Sequence, residues 1–319
     1  MIHLSGGPTA TLPSSHPYPV FDVLAYLNGQ YTARSSATIS VDDRGFVFGD
    51  GVYEVWRVIN GQLFERERHL SRLAYGLQEL RIAPPEIARA SVLDEVAGHL
   101  LRESNLTDGE ATLYLEITRG VAPRAHAFPP AGTAPTVYAT VNRFLPPEDL
   151  RARGAAAITM RDVRWLRCDI KTVQLLPNVM AKQAATERGA TDALMIRDGA
   201  LTESSHANVM GVIDGVIRTH PANNLILSGI TRAVILDLAR DAGLRVAEQA
   251  ITERDLPQLE ELFLAGTTTD VMPIVRLDDR PVGPGVPGPI TMNLFGKLRA
   301  YMNSSCSVRA DSRTVPTPA

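Results

Sequence analysis

Of the 32 basic residues in the chain, only Lys171, Lys182 and Lys297 are lysines, and the other 29 are arginines. A guanidinium keeps its proton and cannot serve as an amine nucleophile, so each remaining lysine raises a question of chemistry. Lys182 and Lys297 fall in helical patterns, where solvent-facing lysines are common. Lys171 follows a strand-like run in the segment RCDIKT (167–172). Taken alone it is most simply a solvated lysine; the chemical alternative is an amine that bonds a carbonyl covalently.

Further along lie groups suited to an anion. Gly229-Ile230-Thr231 opens a helical pattern, and free N–H groups, the helix dipole and a threonine hydroxyl there could cradle a phosphate. The same residues also read as a plain loop with a threonine N-cap. A second hydroxyl-rich turn, Gly266 to Thr269, follows an apolar strand. Arg72, one helical turn after His69, is a candidate bidentate partner for phosphate. Glu203 follows the turn Asp198-Gly199 and stands at a strand edge where a carboxylate could overlook a cleft. Arg124 and His126, two apart in an extended loop, would project the same way and could clamp a carboxylate, or simply be solvated.

The elements that must position these groups are legible in part. Residues 25–32 and 52–64 alternate around Asn28-Gly29 and Asn60-Gly61, each predicting a β-hairpin with a type I′ turn. Amphipathic stretches at 67–81 and 85–104 predict two helices, the second opened by Pro85. Strand patterns follow at 111–118 and 135–142. The Pro-containing stretch 144–148 reads as a linker. Beyond it, strands are expected at 156–163, 192–197, 208–213, 216–219 and 261–265, with helices at 231–242 and 291–302. The expected organisation is a loose arm (1–20), a small α+β domain (21–143), the linker (144–148), a larger sheet-rich domain (149–303) and a disordered tail (304–319). A chain of 319 residues is long enough for two domains with a cleft between them.

Composition narrows the classes of function. With 45% hydrophobic and 21% charged residues the chain has the make-up of an ordinary globular protein. A net charge of −3 provides no broad positive field for nucleic acid or anionic membranes. No apolar run reaches the roughly 20 residues that span a bilayer. Cys168 and Cys306, the only cysteines, are too few for a disulfide framework and are not spaced as metal ligands, so a reducing cytoplasm is expected.

In their order along the chain, RGFVFGDGVYEV (44–55), PRAH (123–126), WLRCDIK (165–171), Thr202-Glu203 with Asn208, THPANN (219–224), GITR (229–232) and Thr267-Thr268 resemble the fold-type IV pyridoxal 5′-phosphate (PLP) enzymes and, within them, the D-amino-acid transaminase branch. The resemblance runs from about residue 23 to 302. It implies a two-domain α+β fold, a small α/β sandwich joined to a larger pseudo-barrel. Lys171 becomes the Schiff-base and proton-transfer residue, and Glu203 the partner of the pyridine nitrogen. Arg72, Ile230, Thr231 and Thr267 form the phosphate cup, and Leu227 packs on the ring. Tyr53, Arg124 and His126 match that branch's trap for the substrate carboxylate. The arginine and histidine are supplied by the partner subunit in the family, so a homodimer is implied. Arg164 and Asp169 are expected to support the site.

The implied reaction is ping-pong transamination, through pyridoxamine phosphate, between a D-amino acid such as D-alanine and a 2-oxo acid such as 2-oxoglutarate. The same scaffold acting on branched-chain L-amino acids or (R)-amines is the nearest alternative, lyase chemistry ranks lower, and a non-catalytic PLP-binding module is the alternative from another class. Two positions depart from the family pattern: His206 stands in a run usually made of small residues, and Arg57 where a lysine is common.

Overall fold

The computed structural model describes residues 23–307. The expected arm at 1–20 lies outside the described residues. The chain opens with β1 (Leu24–Leu27) and β2 (Gln30–Ala33). Asn28 and Gly29 between them have φ of 50° and 89°, the left-handed pair that a type I′ turn requires. Next come α1 (Arg44–Phe48), capped by the Asp43 carboxylate on Gly45 N–H, β3 (Gly51–Ile59) and β4 (Gln62–Leu63). The turn between the two strands, Asn60-Gly61, repeats the same chemistry at φ of 46° and 76°. Helices α2 (Arg66–Glu79) and α3 (Ala90–Glu103) lead into β5 (Glu110–Thr118) and β6 (Thr136–Arg143).

The six strands form one antiparallel sheet in the order β2-β1-β6-β5-β3-β4. Leu70, Leu73 and Leu77 of α2 and Leu93, Val96 and Leu100 of α3 recur at helical spacing and pack against Trp56, Leu113, Leu115 and Val141 of the sheet. Each such fully buried side chain contributes about 1.5–3 kcal/mol. The expected single helix at 85–104 is corrected here. Pro85 precedes a separate 3-10 turn, Glu86–Ala88, and the α-helix starts only at Ala90, because Arg89 takes an extended conformation at ψ 135°.

The second half contains α4 (Glu148–Arg153), β7 (Ala155–Arg161), α5 (Leu176–Glu187), β8 (Asp192–Arg197), β9 (Ala200–Ser204), β10 (Asn208–Ile213), β11 (Val216–Thr219), α6 (Ile230–Asp241), β12 (Arg245–Ala247), β13 (Glu261–Gly266), β14 (Asp270–Leu277), β15 (Arg280–Pro281) and α7 (Pro289–Ser307). The sheet order is β12-β11-β10-β13-β14-β7-β8-β9. The added pairing of β9 with β10, Glu203 opposite Asn208, closes six of these strands into a barrel. Closure leaves the six barrel strands without a free edge and places the short bend of residues 205–207 at the barrel's mouth.

Helix α7 continues through Ser307, five residues past the expected end, so the disordered tail does not begin at 304. Cys306 is buried in the cluster that holds Leu294, Leu298 and Met302, and the Ser304, Ser305 and Ser307 hydroxyls donate back to helix carbonyls. Apolar burial extends the helix where composition alone suggested fraying. The same cluster contains Ile59 of β3 and Phe64, which follows β4, so the two halves share a core.

Candidate active site

A cavity of about 1040 Å³ opens between the two halves. Its walls come from α1 and β3, from Arg164, Trp165, Cys168 and residues 170–179, from the bend after Glu203, from the start of α6 and from the end of β13. Of the ten residues to which the resemblance gives a role toward cofactor or substrate, eight line it: Tyr53, Arg72, Lys171, Glu203, Leu227, Ile230, Thr231 and Thr267.

Lys171 is aimed by its backbone. Tyr53 N–H donates to the Lys171 carbonyl at 3.0 Å, and Thr172 bridges Val52, so this segment runs as a short extra strand along β3. Strand alternation then sends Ile170 into the core of the small sheet and Lys171 to the cavity. The ammonium sits 4.1 Å from the centre of the Tyr53 ring. Among the described residues it forms no ion pair, so the cation is attracted to an aromatic face and remains available for covalent chemistry.

Glu203 is 6% exposed and held from three sides. One oxygen accepts from Asn208 Nδ2 and from Leu227 N–H, each at 3.0 Å, and the other accepts from Arg164 Nη1. Burial pushes its pKa above the usual carboxylate value, and the charge of Arg164 works against that shift. Arg164 is itself fixed by Asp162 at 2.8 and 3.0 Å, which gives it the supporting position expected of it. Asp169 instead joins Tyr75 and Arg167 and is not a cavity wall.

Three elements converge on an anion site. The N-terminus of α6 has no side-chain cap, which leaves its first N–H groups free beside the Thr231 hydroxyl. Thr267 lies in the turn after β13, closed by Thr269 N–H donating to the Gly266 carbonyl at 3.1 Å. Arg72 donates to Glu54 at 2.7 and 2.9 Å and to the Ser228 carbonyl at 3.0 Å. A Cβ at Gly229 would fall 1.9 Å from Asn208 Oδ1, so only glycine lets the start of α6 approach Glu203's partner this closely.

Glu54 escaped the sequence reading, although a signal was present: a carboxylate in the VYEVWRVI run of β3, which apart from Glu54 and Arg57 carries no charge. It is fully buried and bonds His69 Nδ1 at 2.8 Å as well as Arg72; burial raises its pKa, but the charges and hydrogen bonds of Arg72 and His69 together outweigh that and hold its carboxyl well below the usual range. Burial lowers the pKa of His69, against the pull of Glu54. Lys182, read as solvent-facing, is half-buried on the cavity wall and donates to the Thr191 carbonyl.

Arg124 and His126 are exposed and do not line the cavity of their own chain. Both pack on Phe48, at 5.4 and 5.6 Å. Their loop is pinned to the small domain by Arg44, which donates to the Ala125 carbonyl at 2.7 Å, and by Arg119, stacked 3.8 Å from the Phe128 ring centre. His206 does face the cavity, and its Nδ1 lies 3.2 Å from the buried Asp192 carboxylate. The imidazole draws the Asp192 pKa down to about 2 against the effect of burial.

A lysine free of ion pairs, a buried carboxylate and an uncapped helix start around one cleft suit a phosphorylated aldehyde cofactor. Family comparison agrees: the chain belongs to the amino-transferase class IV family, whose pattern matches residues 51–277. It is thus a PLP-dependent aminotransferase. Among particular relatives, it is 43% identical to the D-alanine aminotransferase of Bacillus licheniformis, over 85% of this chain and 94% of that one. It is 36% identical to the D-alanine aminotransferase of Staphylococcus haemolyticus, over 88% and 99%. In fold it is similar to the Escherichia coli branched-chain amino acid aminotransferase (TM-score 0.82, 23% identity, 90% and 97% covered). The fold IV-transaminase of Curtobacterium pusillum superposes with a TM-score of 0.73 at 26% identity, covering 86% and 92%.

Proposed function

We propose that this protein moves the amino group of a D-amino acid, D-alanine for example, onto a 2-oxo acid such as 2-oxoglutarate, in two half-reactions that share one cavity. The observation that carries the reading is the convergence of Lys171, Glu203 and the anion cradle on a single cleft. When bound, PLP supplies an aldehyde for the substrate amine and a ring that takes up the electron pair left when the α-proton departs.

The chain supplies the rest. Lys171 Nζ is the amine that holds the cofactor, and once released it takes the proton from the substrate's α-carbon and delivers it to the carbon that carried the cofactor's aldehyde, a role worth roughly 10² to 10⁴ in rate. Glu203, anchored by Asn208, Leu227 and Arg164, is the carboxylate that keeps a proton on the ring nitrogen. Arg72, the N–H groups at Ile230 and Thr231, and Thr267 hold the phosphate, with Leu227 against the ring.

Tyr53, which carries its ring beside Lys171, forms one side of the substrate carboxylate site. Arg124 and His126 complete that site in a second copy of the chain, and the enzyme is a homodimer. Two features favour this: the loop stands on the outer surface of its own subunit, and the cavity rim exposes Phe46, Leu176 and Val179 at 70%, 69% and 59%. A small domain of residues 21–143, a linker at 144–148 and a large domain from 149 frame the cleft. Among the described residues no helix is long and apolar enough to cross a membrane, and the free thiols Cys168 and Cys306 suit a cytoplasmic enzyme.

The deciding experiment adds D-alanine or L-leucine, in separate cuvettes and without an acceptor, to the PLP-loaded protein while its visible absorption is recorded. Bleaching by D-alanine alone is expected. Bleaching by L-leucine alone would keep Lys171 and the fold but overturn the carboxylate trap.

A further inference from the structure

The buried charges at the junction of the two halves have no part in the chemistry above, yet they converge on the turn that carries Thr267. Arg57 of β3 is fully buried, and its Nη2 donates to both oxygens of Asp270 at 2.8 Å. Arg151 of α4, also fully buried, donates to the Asp270 carboxylate at 3.3 Å and to the carbonyls of Thr269 and Val271 at 3.5 and 3.2 Å. Glu110 of β5 forms an ion pair with Arg57, its carboxylate 2.9 Å from Nε, and also pairs with Arg299 of α7. Phe144 covers the Arg57 guanidinium at 3.5 Å from its ring centre.

Asp270 has φ of 53°, a left-handed conformation that aspartate enters more readily than most residues and that here shapes the turn. It ends the turn that begins at Gly266, with which it pairs across β13 and β14. Its carboxylate is therefore a handle on the turn. The other half of the anion cradle hangs from the same strand as Arg57: Glu54, three residues earlier on β3, holds Arg72. One strand of the small domain thus grips the guanidinium through Glu54 and the hydroxyl turn of the large domain through Arg57 and Asp270. A buried ion pair of this kind adds little net stability over an apolar substitute, and what it sets is geometry.

We propose that Arg57 and Asp270 are positioning residues that fix the distance between Arg72 and Thr267, and hence the enzyme's affinity for the cofactor's phosphate. The proposal rests on the assignment of this cleft to PLP, and the test separates the two. Dissociation constants of PLP and of pyridoxal, which lacks the phosphate, are measured by fluorescence titration of cofactor-free protein for the parent chain, Arg57→Met, Arg57→Lys and Asp270→Asn. Loss of one well-placed charge-assisted contact to phosphate costs about tenfold in affinity. Arg57→Met and Asp270→Asn are expected to weaken PLP by about that factor while pyridoxal changes less than about threefold, and Arg57→Lys, which keeps an ion pair, recovers most of the loss. Thermal midpoints of the cofactor-free variants identify any that fail to fold; Asp270→Asn, nearly isosteric, then carries the comparison. Equal changes for PLP and pyridoxal, or none for PLP, overturn the positioning role. A parent chain that binds neither ligand overturns the cofactor assignment instead.

Discussion

Glu203→Gln removes a charge while leaving the side chain's shape. Asn208 Nδ2 and Leu227 N–H both donate to one Glu203 oxygen at 3.0 Å, so the glutamine carbonyl must stay there. Its amide nitrogen is then turned toward Arg164 and the ring nitrogen, where it presents donors and no negative charge. Arg164 is not orphaned, because Asp162 still holds it at 2.8 and 3.0 Å, so global stability should fall by less than about 2 kcal/mol. The transition state loses its closest preorganised charge, a change worth about 2.7–4 kcal/mol, or roughly 10²–10³ in rate. The assay is a stopped-flow half-reaction with D-alanine and no acceptor, followed by absorbance over a range of D-alanine concentrations. The maximal rate constant should fall by that factor, with the concentration dependence moving less than about threefold. A variant that folds normally and reacts within about threefold of the parent would refute the role assigned to Glu203.

Mixing the inactive variants Lys171→Ala and Arg124→Ala after partial unfolding should restore about a quarter of parental activity, since half the dimers are hybrids with one intact site each; no recovery argues that Arg124 serves its own subunit. Gly229→Ala places a Cβ against Asn208 Oδ1 and should weaken PLP binding at least about tenfold, by equilibrium titration, with little change in the cofactor-free protein's melting temperature. Asp192, buried and lowered from 3.8 to about 2, stabilises the fold above its unfolded pKa and loses that contribution as pH falls through the folded one. Asp192→Asn should therefore cost about 2 kcal/mol at neutral pH by denaturant titration, with the gap to the parent narrowing between pH 4 and 2; a gap that stays constant with pH would remove the ionic explanation.

Much of this protein is local physics that its sequence states by itself. Asn28-Gly29 and Asn60-Gly61 can only turn in one way between alternating strands, and the spacing of Leu70, Leu73 and Leu77 dictates a helix with one buried face. The scarcity of lysine singled out Lys171, and the ordered motifs around it named its company. Other features had no local signal. Strand β9 and helix α1 are five residues each, too short for a period to register, and β12 is shorter still. The extra residues of α7 are helical because Cys306 finds a core to enter. Glu54 and Arg57 look like misplaced charges in β3 until Arg72 and Asp270, brought in from 18 and 213 residues away, satisfy them. Long-range ion pairs depend on which surfaces the folded chain brings together, and so does the placement of Arg124 and His126 outside their own cavity. The chemistry of the site was written in residue types, whereas the distances between them come only from the barrel's closure and its packing against the first sheet.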